Sequence, residues 1–425
     1  MKWGVRSGHL PAGVVDAGVA SFTSFLVGLY VVRQGLVLAG SWGLFFAAFR
    51  VAAVVSTFFV FVPSELKALR LPVGNRMATL SDSLRHGSRW ALYASPIVGL
   101  PILLGLASRP EGLAASDLVA FGASGIVCGF LSPIQDHLRR MLHLDHASPR
   151  AAATSIVYGL VTVAALPVVK LLLGVAWAPF TALAIGNLVS LLVSVRLAGR
   201  PHPDHAGREP ELTTSRELLT QEVLFQAGDL LANGVVWSLA GPTLLGYAEN
   251  ARLVARPVIV LTEGIRSTLG LPIVEAAQRR DAAGAKRAAV RFRRLTLWLG
   301  IPYLLATGWA WPGNPLSSVA PDAYTITGLA VTTVAANVAL GLLSPERNQL
   351  MGRGNYRGLL QSEWGGTFAR LVVTASAPIT KAFAIPVGLG ALVIGRWIGY
   401  TRALASDTPA DKVAKEEGPK SPEAS

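Results

Sequence analysis

One cysteine stands in the 425 residues, Cys128, and its neighbours are apolar. An internal disulfide and a cysteine-rich metal site are thereby excluded. Charge is scarce as well: 15% of residues are charged, where a soluble domain averages about 25%. No Ser-His-Asp set or paired-carboxylate constellation stands out, so no catalytic residue is assigned and no enzyme is expected. Gly352-Arg353-Gly354 lacks the Lys-Ser/Thr of a phosphate-binding loop, which argues against nucleotide binding. His137, His143 and His146, beside Asp136 and Asp145, read as the solvated face of a basic loop, not as metal ligands. The expectation is no metal and no cofactor.

What is present is apolar material, 52% of the chain, gathered in blocks of roughly twenty residues, the length that crosses a bilayer core. A soluble enzyme of this size is excluded. About twelve spans are expected, over 14–32, 42–62, 90–107, 116–134, 153–173, 177–195, 223–245, 254–272, 295–311, 323–343, 367–380 and 382–400. Backbone groups in lipid must be satisfied internally, and runs this continuously apolar suit helices, not the alternating strands of a barrel. The fold class is all-α and polytopic. No cleavable signal peptide is expected at the start.

The net charge of +13 would suggest nucleic acid for a soluble chain, but here it first orients the protein. With both termini in the cytoplasm, 28 of the 38 basic residues fall in cytoplasmic segments. Arg33, Arg109, Lys170, Arg252, Arg256 and Lys381 fall on the far side, and Arg50, Arg266, Arg370 and Arg396 inside spans. Losing one span would scramble this asymmetry, so an even number is expected and no nucleic-acid partner. Residues 1–200 form a first six-helix lobe, 201–222 a Pro-containing cytoplasmic linker, 223–405 a second lobe, and 406–425 a polar, disordered cytoplasmic tail.

The halves share landmarks at a nearly constant offset. Asp16 matches Asp229, Pro63 matches Pro272, Trp90 matches Trp298, and Leu131-Ser132-Pro133 recurs as Leu343-Ser344-Pro345. Six spans per half relate the lobes by an axis along the membrane normal, with a central cavity between them and alternating access by rocking. In the eighth span Glu249, Arg252, Arg256, Glu263 and Arg266 share one helix face, either as local ion pairs or as a cavity-lining stripe. Arg50 sits mid-span on a face with Gly43, Thr57 and Ser64, and Asp229 shares its face with Gln226 and Asn233. Asp16 and Asp229 read either as a symmetric pair facing the cavity or as acids at helix starts, where the dipole favours them.

The segments VVDAGVASFTSFLVGLYVVR, QDHLRRMLHLDHASPRAA and LGYAENARLVARPVIVLTEGIRSTLGLPIVEA resemble the polysaccharide and O-antigen flippases. That branch belongs to the multidrug/oligosaccharidyl-lipid/polysaccharide (MOP) exporter superfamily. The likeness spans nearly the whole chain, and Gln135-Asp136…Arg139-Arg140 is its most distinctive cluster. It implies two six-helix lobes around a cavity, residence in a bacterial cytoplasmic membrane, and transfer of a polyprenyl-diphosphate-linked saccharide between leaflets for cell-surface polysaccharide. Membrane lipids, and a polysaccharide polymerase or glycosyltransferases, would be its partners.

Arginine matches phosphate geometry and stays charged. Arg50, Arg252, Arg256 and Arg266, with Asp229 and Asn233, are therefore the candidate substrate-binding residues, and Asp16, Asp229 and Glu263 the candidates for ion coupling. The alternative is a multidrug/cation antiporter (MATE type) of the same fold, which would use the acids instead.

Overall fold

The computed structural model describes residues 9–69, 71, 75–108, 112–198, 212–309 and 314–406. Among these the regular structure is entirely helical. The first half holds α1 (His9–Val32), α2 (Leu36–Ser56), α3 (Val62–Leu69), α4 (Leu80–Ala94), α5 (Leu100–Ser108), α6 (Ala115–Leu144), α7 (Ser148–Leu173) and α8 (Ala178–Ala198). The second half opens with α9 (Leu212–Gln278) and α10 (Ala282–Gly308), followed by the short α11 (Pro315–Val319) and α12 (Asp322–Thr325). It closes with α13 (Leu329–Leu342), α14 (Ser344–Gly352), α15 (Tyr356–Thr374), α16 (Ala377–Thr380) and α17 (Ala384–Ser406).

Eight helical stretches are long and apolar enough to cross a membrane: Leu36–Glu65, Leu80–Ser108, Ala115–Leu144, Ser148–Leu173, Ala178–Ala198, Thr220–Arg266, Leu329–Gly352 and Ala377–Ser406. The apolar part of α1, Gly18–Val32, is shorter, and the more charged α10 and α15 are not among the eight. Large apolar side chains such as Leu160, Leu171, Phe368 and Ile379 stay exposed, which suits a surface facing acyl chains.

Breaks in the helices follow from their residues. Pro96 opens a 3-10 turn, Ser95–Gly99, between α4 and α5. A π-turn, Thr57–Phe61, precedes Pro63, which has no N–H for the carbonyl four residues back. In α9 the break is Gly241, at φ 85° and ψ 165°, followed at once by Pro242. A side chain in that left-handed region is strained, so glycine suits it.

The seventh and eighth spans, expected over 223–245 and 254–272, are joined: α9 runs through 246–253 with Gly241 as its non-helical residue, and Glu249, Arg252 and Arg256 lie on helix as their shared face implied. One expectation is corrected here: the basic loop expected after residue 134 is helix, because α6 runs on to Leu144. The expected linker at 201–222 lies outside the described residues except for 212–222, which begin α9, and the expected tail lies outside them beyond Ser406.

Packing separates the halves. One core cluster joins Val27, Phe45, Phe121, Leu166 and Phe180 within the first half, and others join Ile265, Ile273 and Phe292, or Leu350, Leu359 and Tyr400, within the second. Two clusters cross the seam, where Val32, Ala39 and Leu44 of the first half meet Leu253, Val258, Val236 and Trp237.

The seam closes at one end through small residues. A Cβ on Gly40 would stand 2.0 Å from the Pro242 carbonyl oxygen, and one on Gly246 2.0 Å from that of Leu36. Helices in lipid gain little from burying apolar surface against one another, so backbone approach of this kind holds them together. At the same end Arg33 donates to the backbone carbonyls of Ser318 and, at 3.2 Å, Val319.

Candidate functional site

Below that closure a cavity of about 250 Å³ lies between the two halves. From α2 it receives Trp42, Phe46 and Arg50; from α9 Asp229, Glu249, Arg252 and Arg256; and from α15 Arg370. Asp229 is clamped from both sides. One carboxylate oxygen meets Arg370, which is 1% exposed and belongs to the same half, and the other meets Arg50 across the seam at 2.5 Å. Glu249 pairs with Arg252 one helical turn on. Arg252 also donates to Asn233 Oδ1 at 3.3 Å, and Asn233 Nδ2 donates to the Gly43 carbonyl at 2.9 Å, tying α9 to α2.

Arg256 differs from the other three arginines. It donates to the Ser24 carbonyl at 2.6 Å and has no carboxylate partner among the described residues. Its guanidinium lies 6.0 Å from the Phe46 ring centroid, and that of Arg50 lies 5.7 Å from the same ring. Four arginines thus face two acids, an excess of two positive charges beside an apolar wall. Such a site suits an anion whose oxygens accept from guanidinium groups.

A second cavity, about 190 Å³, adjoins the first and shares Phe225, Ile259, Asn337 and Leu340 with it. Its charges balance. Glu222, Glu263 and Glu363 face Arg266, Arg347 and Arg396. Arg396 pairs with Glu363, whose other oxygen accepts from Tyr400 Oη at 2.9 Å. Arg347 pairs with Glu222 at 3.2 Å, and Arg266 with Glu263 at 2.6 Å.

A third network lies inside the first half. Asp16 accepts from Arg139 at 3.3 Å and from Ser155, and is in contact with His143 Nε2 at 2.9 Å. Glu65 is 3.0 Å from His137 Nδ1, while His137 Nε2 meets Ser83 Oγ at 2.8 Å and its ring stacks on Phe61. The three histidines therefore do not form one solvated face, because His137 is 1% exposed and held by α3 and α4. Among the described residues no group of three or more His, Cys, Asp or Glu is placed to hold a metal ion.

The structure brings Arg50, Arg252, Arg256 and Asp229 together at the central cavity, with Asn233 buried behind them. Arg266 and Glu263 stand at the second cavity. Asp16 does not face Asp229; its partners come from α6 and α7 instead, since α6 reaches far enough to deliver Arg139 and His143. The charged stripe of the eighth span satisfies both of its readings at once, as i,i+3 ion pairs that also line cavities. Of the cavity's charges, Glu249 was read on the eighth-span stripe but not among the substrate-binding candidates, and Arg370 only as a charge inside a span. Sequence reasoning missed the cluster of Glu222, Arg347, Glu363, Arg396 and Tyr400, whose members come from four helices.

No protein-family model and no curated protein matches the sequence. Solved structures do match it in fold. A multidrug resistance MATE family transporter of the MOP superfamily, in an inward-facing conformation, aligns with TM-score 0.73 and 13% identity over 92% of this chain and 98% of that one. A MOP superfamily transporter from Pyrococcus furiosus, described by the reverse polarity of its binding pocket, aligns with TM-score 0.59 and 14% identity over 94% and 95%. The lipid II flippase MurJ, in an inward closed conformation, aligns with TM-score 0.60 and 14% identity over 92% and 87%. The chain is an all-helical protein with the fold of these MOP superfamily transporters.

Proposed function

We propose that this protein is a flippase that moves a polyprenyl-diphosphate-linked saccharide across a bacterial cytoplasmic membrane, by alternating access between its two six-helix lobes. The observation that carries this reading is the excess of Arg50, Arg252, Arg256 and Arg370 over Asp229 and Glu249 around a cavity between the halves. A diphosphate headgroup needs guanidinium donors in a shielded place, while its polyprenyl chain stays in lipid. Arg256, with no carboxylate partner among the described residues, is the donor most ready to meet a phosphate, and Arg50 and Arg252 follow. With twelve spans and both termini in the cytoplasm, the arrangement that the asymmetry of basic residues supports, the closed end faces outward and the cavity serves the inner leaflet. The MurJ likeness agrees with a lipid-linked cargo.

A multidrug/cation antiporter is the second reading, favoured by the carboxylates of Asp229 and Glu249 in the cavity and by the MATE likeness. A cation would have to displace an arginine from either acid, which weighs against it. The same pairing weakens Asp229 as an ion-coupling residue.

Both readings are tested in proteoliposomes. Transfer of a fluorescent polyprenyl-diphosphate-linked saccharide is expected, and Arg256→Ala should slow it roughly tenfold or more, the loss of one charge-assisted hydrogen bond. Unchanged transfer in Arg50→Ala, Arg252→Ala and Arg256→Ala together would remove these roles. Dye efflux driven by a cation gradient, and lost in Asp229→Asn, would favour the antiporter.

A further inference from the structure

The second cavity differs from the first in ways that point to a different part of a ligand. Its six ionised groups sum to zero, against an excess of two positive charges next door. Its wall also carries buried donors without an acceptor among the described residues: Gln221 Nε2, Arg347 Nε and Arg396 Nε. Gln221 is 3% exposed and Arg396 7%. A buried donor left unpaired has lost its water without a replacement, so donors gathered on one wall favour a ligand that brings acceptors. The carboxylates beside them, Glu222 and Glu363, already take Arg347, Arg396 and Tyr400, yet each oxygen has a further lone pair for a hydroxyl proton. A group that both accepts and donates, and carries no net charge, answers all of these conditions; a second anion or a cation answers only half.

We infer that this second cavity is the saccharide subsite: it takes a neutral, hydroxyl-rich sugar ring while the neighbouring arginine-rich cavity takes the diphosphate. The two cavities share the Phe225 wall, so one ligand can extend from one to the other. Phe225 offers the apolar C–H face of a pyranose a flat partner at that junction, and its ring is fixed by the Arg396 guanidinium 4.6 Å from its centroid. Specificity for the sugar then belongs to the second half alone, through α9, α13, α14, α15 and α17. This inference rests on the flippase reading above and adds a place for the sugar.

The test measures binding to the full-length protein in lipid nanodiscs. The probes are a bare polyprenyl diphosphate and the same lipid carrying one hexose, one N-acetylhexosamine or one uronic acid. At least one sugar-bearing lipid should bind roughly tenfold tighter than the bare lipid, the worth of one or two hydrogen bonds to charged groups. That ratio should fall towards one in Gln221→Leu and in Phe225→Ala. If Phe225→Ala does not fold, Gln221→Leu still decides, because the bare lipid bound to the same sample reports an intact protein. Equal binding of all four lipids to the wild type, or a ratio that persists in Gln221→Leu, overturns the subsite and leaves the flippase reading standing. Binding of none of the four lipids overturns both. A preference confined to the uronic acid overturns the neutral character argued for the site.

Discussion

Asp229 illustrates how a buried charge in an apolar chain is made tolerable. Removing a carboxylate from water costs several kcal/mol unless partners replace the solvent, and here Arg370 and Arg50 do so from two different helices. The consequence is an asymmetry between the two arginines. Arg50 keeps about a third of its side chain exposed and can turn to a ligand, whereas Arg370 is enclosed and depends on Asp229. Asp229→Asn should therefore destabilise the protein by about 3–5 kcal/mol, the usual cost of stranding one member of a buried pair. Asp229→Asn combined with Arg370→Met should recover most of that loss, as thermal unfolding in detergent would show. A double variant no more stable than Asp229→Asn would mean that the pair is not what holds α9 to α15. Arg50→Met should cost far less stability than Arg370→Met with Asp229 in place, since Asp229 then keeps its enclosed partner.

At the level of the element, the outcome turns on α9. Its 67 residues would reach roughly 100 Å if unbroken at about 1.5 Å per residue, several times a bilayer core. Gly241 divides the run so that both parts can lie in one membrane. Its φ of 85° with ψ 165° lies in a region essentially reserved for glycine, unfavourable for an L side chain by about 1–3 kcal/mol. Gly241→Ala should thus lower stability by that amount, while Gly390→Ala, at a helical glycine with open space around its Cβ, should be neutral or stabilising by about 0.5–1 kcal/mol. Equal effects at the two positions would contradict a special role for the kink. The sequence placed the charges from Glu249 to Arg266 on one helix face, but it ran an apolar span over 223–245 and so did not show the break at Gly241. The cavity explains why those charges are tolerated, because a charge on a helix is acceptable at membrane depth when it faces partners there. A misreading does apply to α6, whose basic end past residue 134 remains helical because Asp16, Glu65 and Ser83 receive its Arg139, His137 and His143.

For the molecule as a whole, the contacts at Gly40 and Gly246 hold the halves together at one end. Gly246→Val would drive a side chain into the Leu36 carbonyl, so the halves must part there. Spin labels placed at residues 33 and 318, which meet at that end, should report a longer distance in Gly246→Val than in the parent. An unchanged distance would argue that the closure does not depend on this approach. Labelling is straightforward because the one native cysteine, Cys128, is 1% exposed. On the proposed transport reading, the same substitution should shift the population towards the form open at that end and slow a full cycle.

Much of this was legible in the order of residues alone. The all-helical class follows from apolar runs too long and continuous for barrel strands, and the gathering of charge on the eighth span marked Glu249, Arg252, Arg256, Glu263 and Arg266 as residues to watch. These are one-dimensional signals, because each depends on spacing within one segment. Which charges meet is a different matter. Asp16 and Asp229 occupy matching places in the two halves, yet one is enclosed by α6 and α7 and the other faces the cavity between Arg50 and Arg370. The second cavity draws its six charges from α9, α14, α15 and α17, residues up to 174 positions apart (222 to 396). Hydropathy and helical periodicity record how far a residue prefers lipid and which face it shares, but carry no distance between helices. Tertiary packing sets those distances, and with them whether an arginine meets a carboxylate, as Arg252 does, or a backbone carbonyl, as Arg256 does.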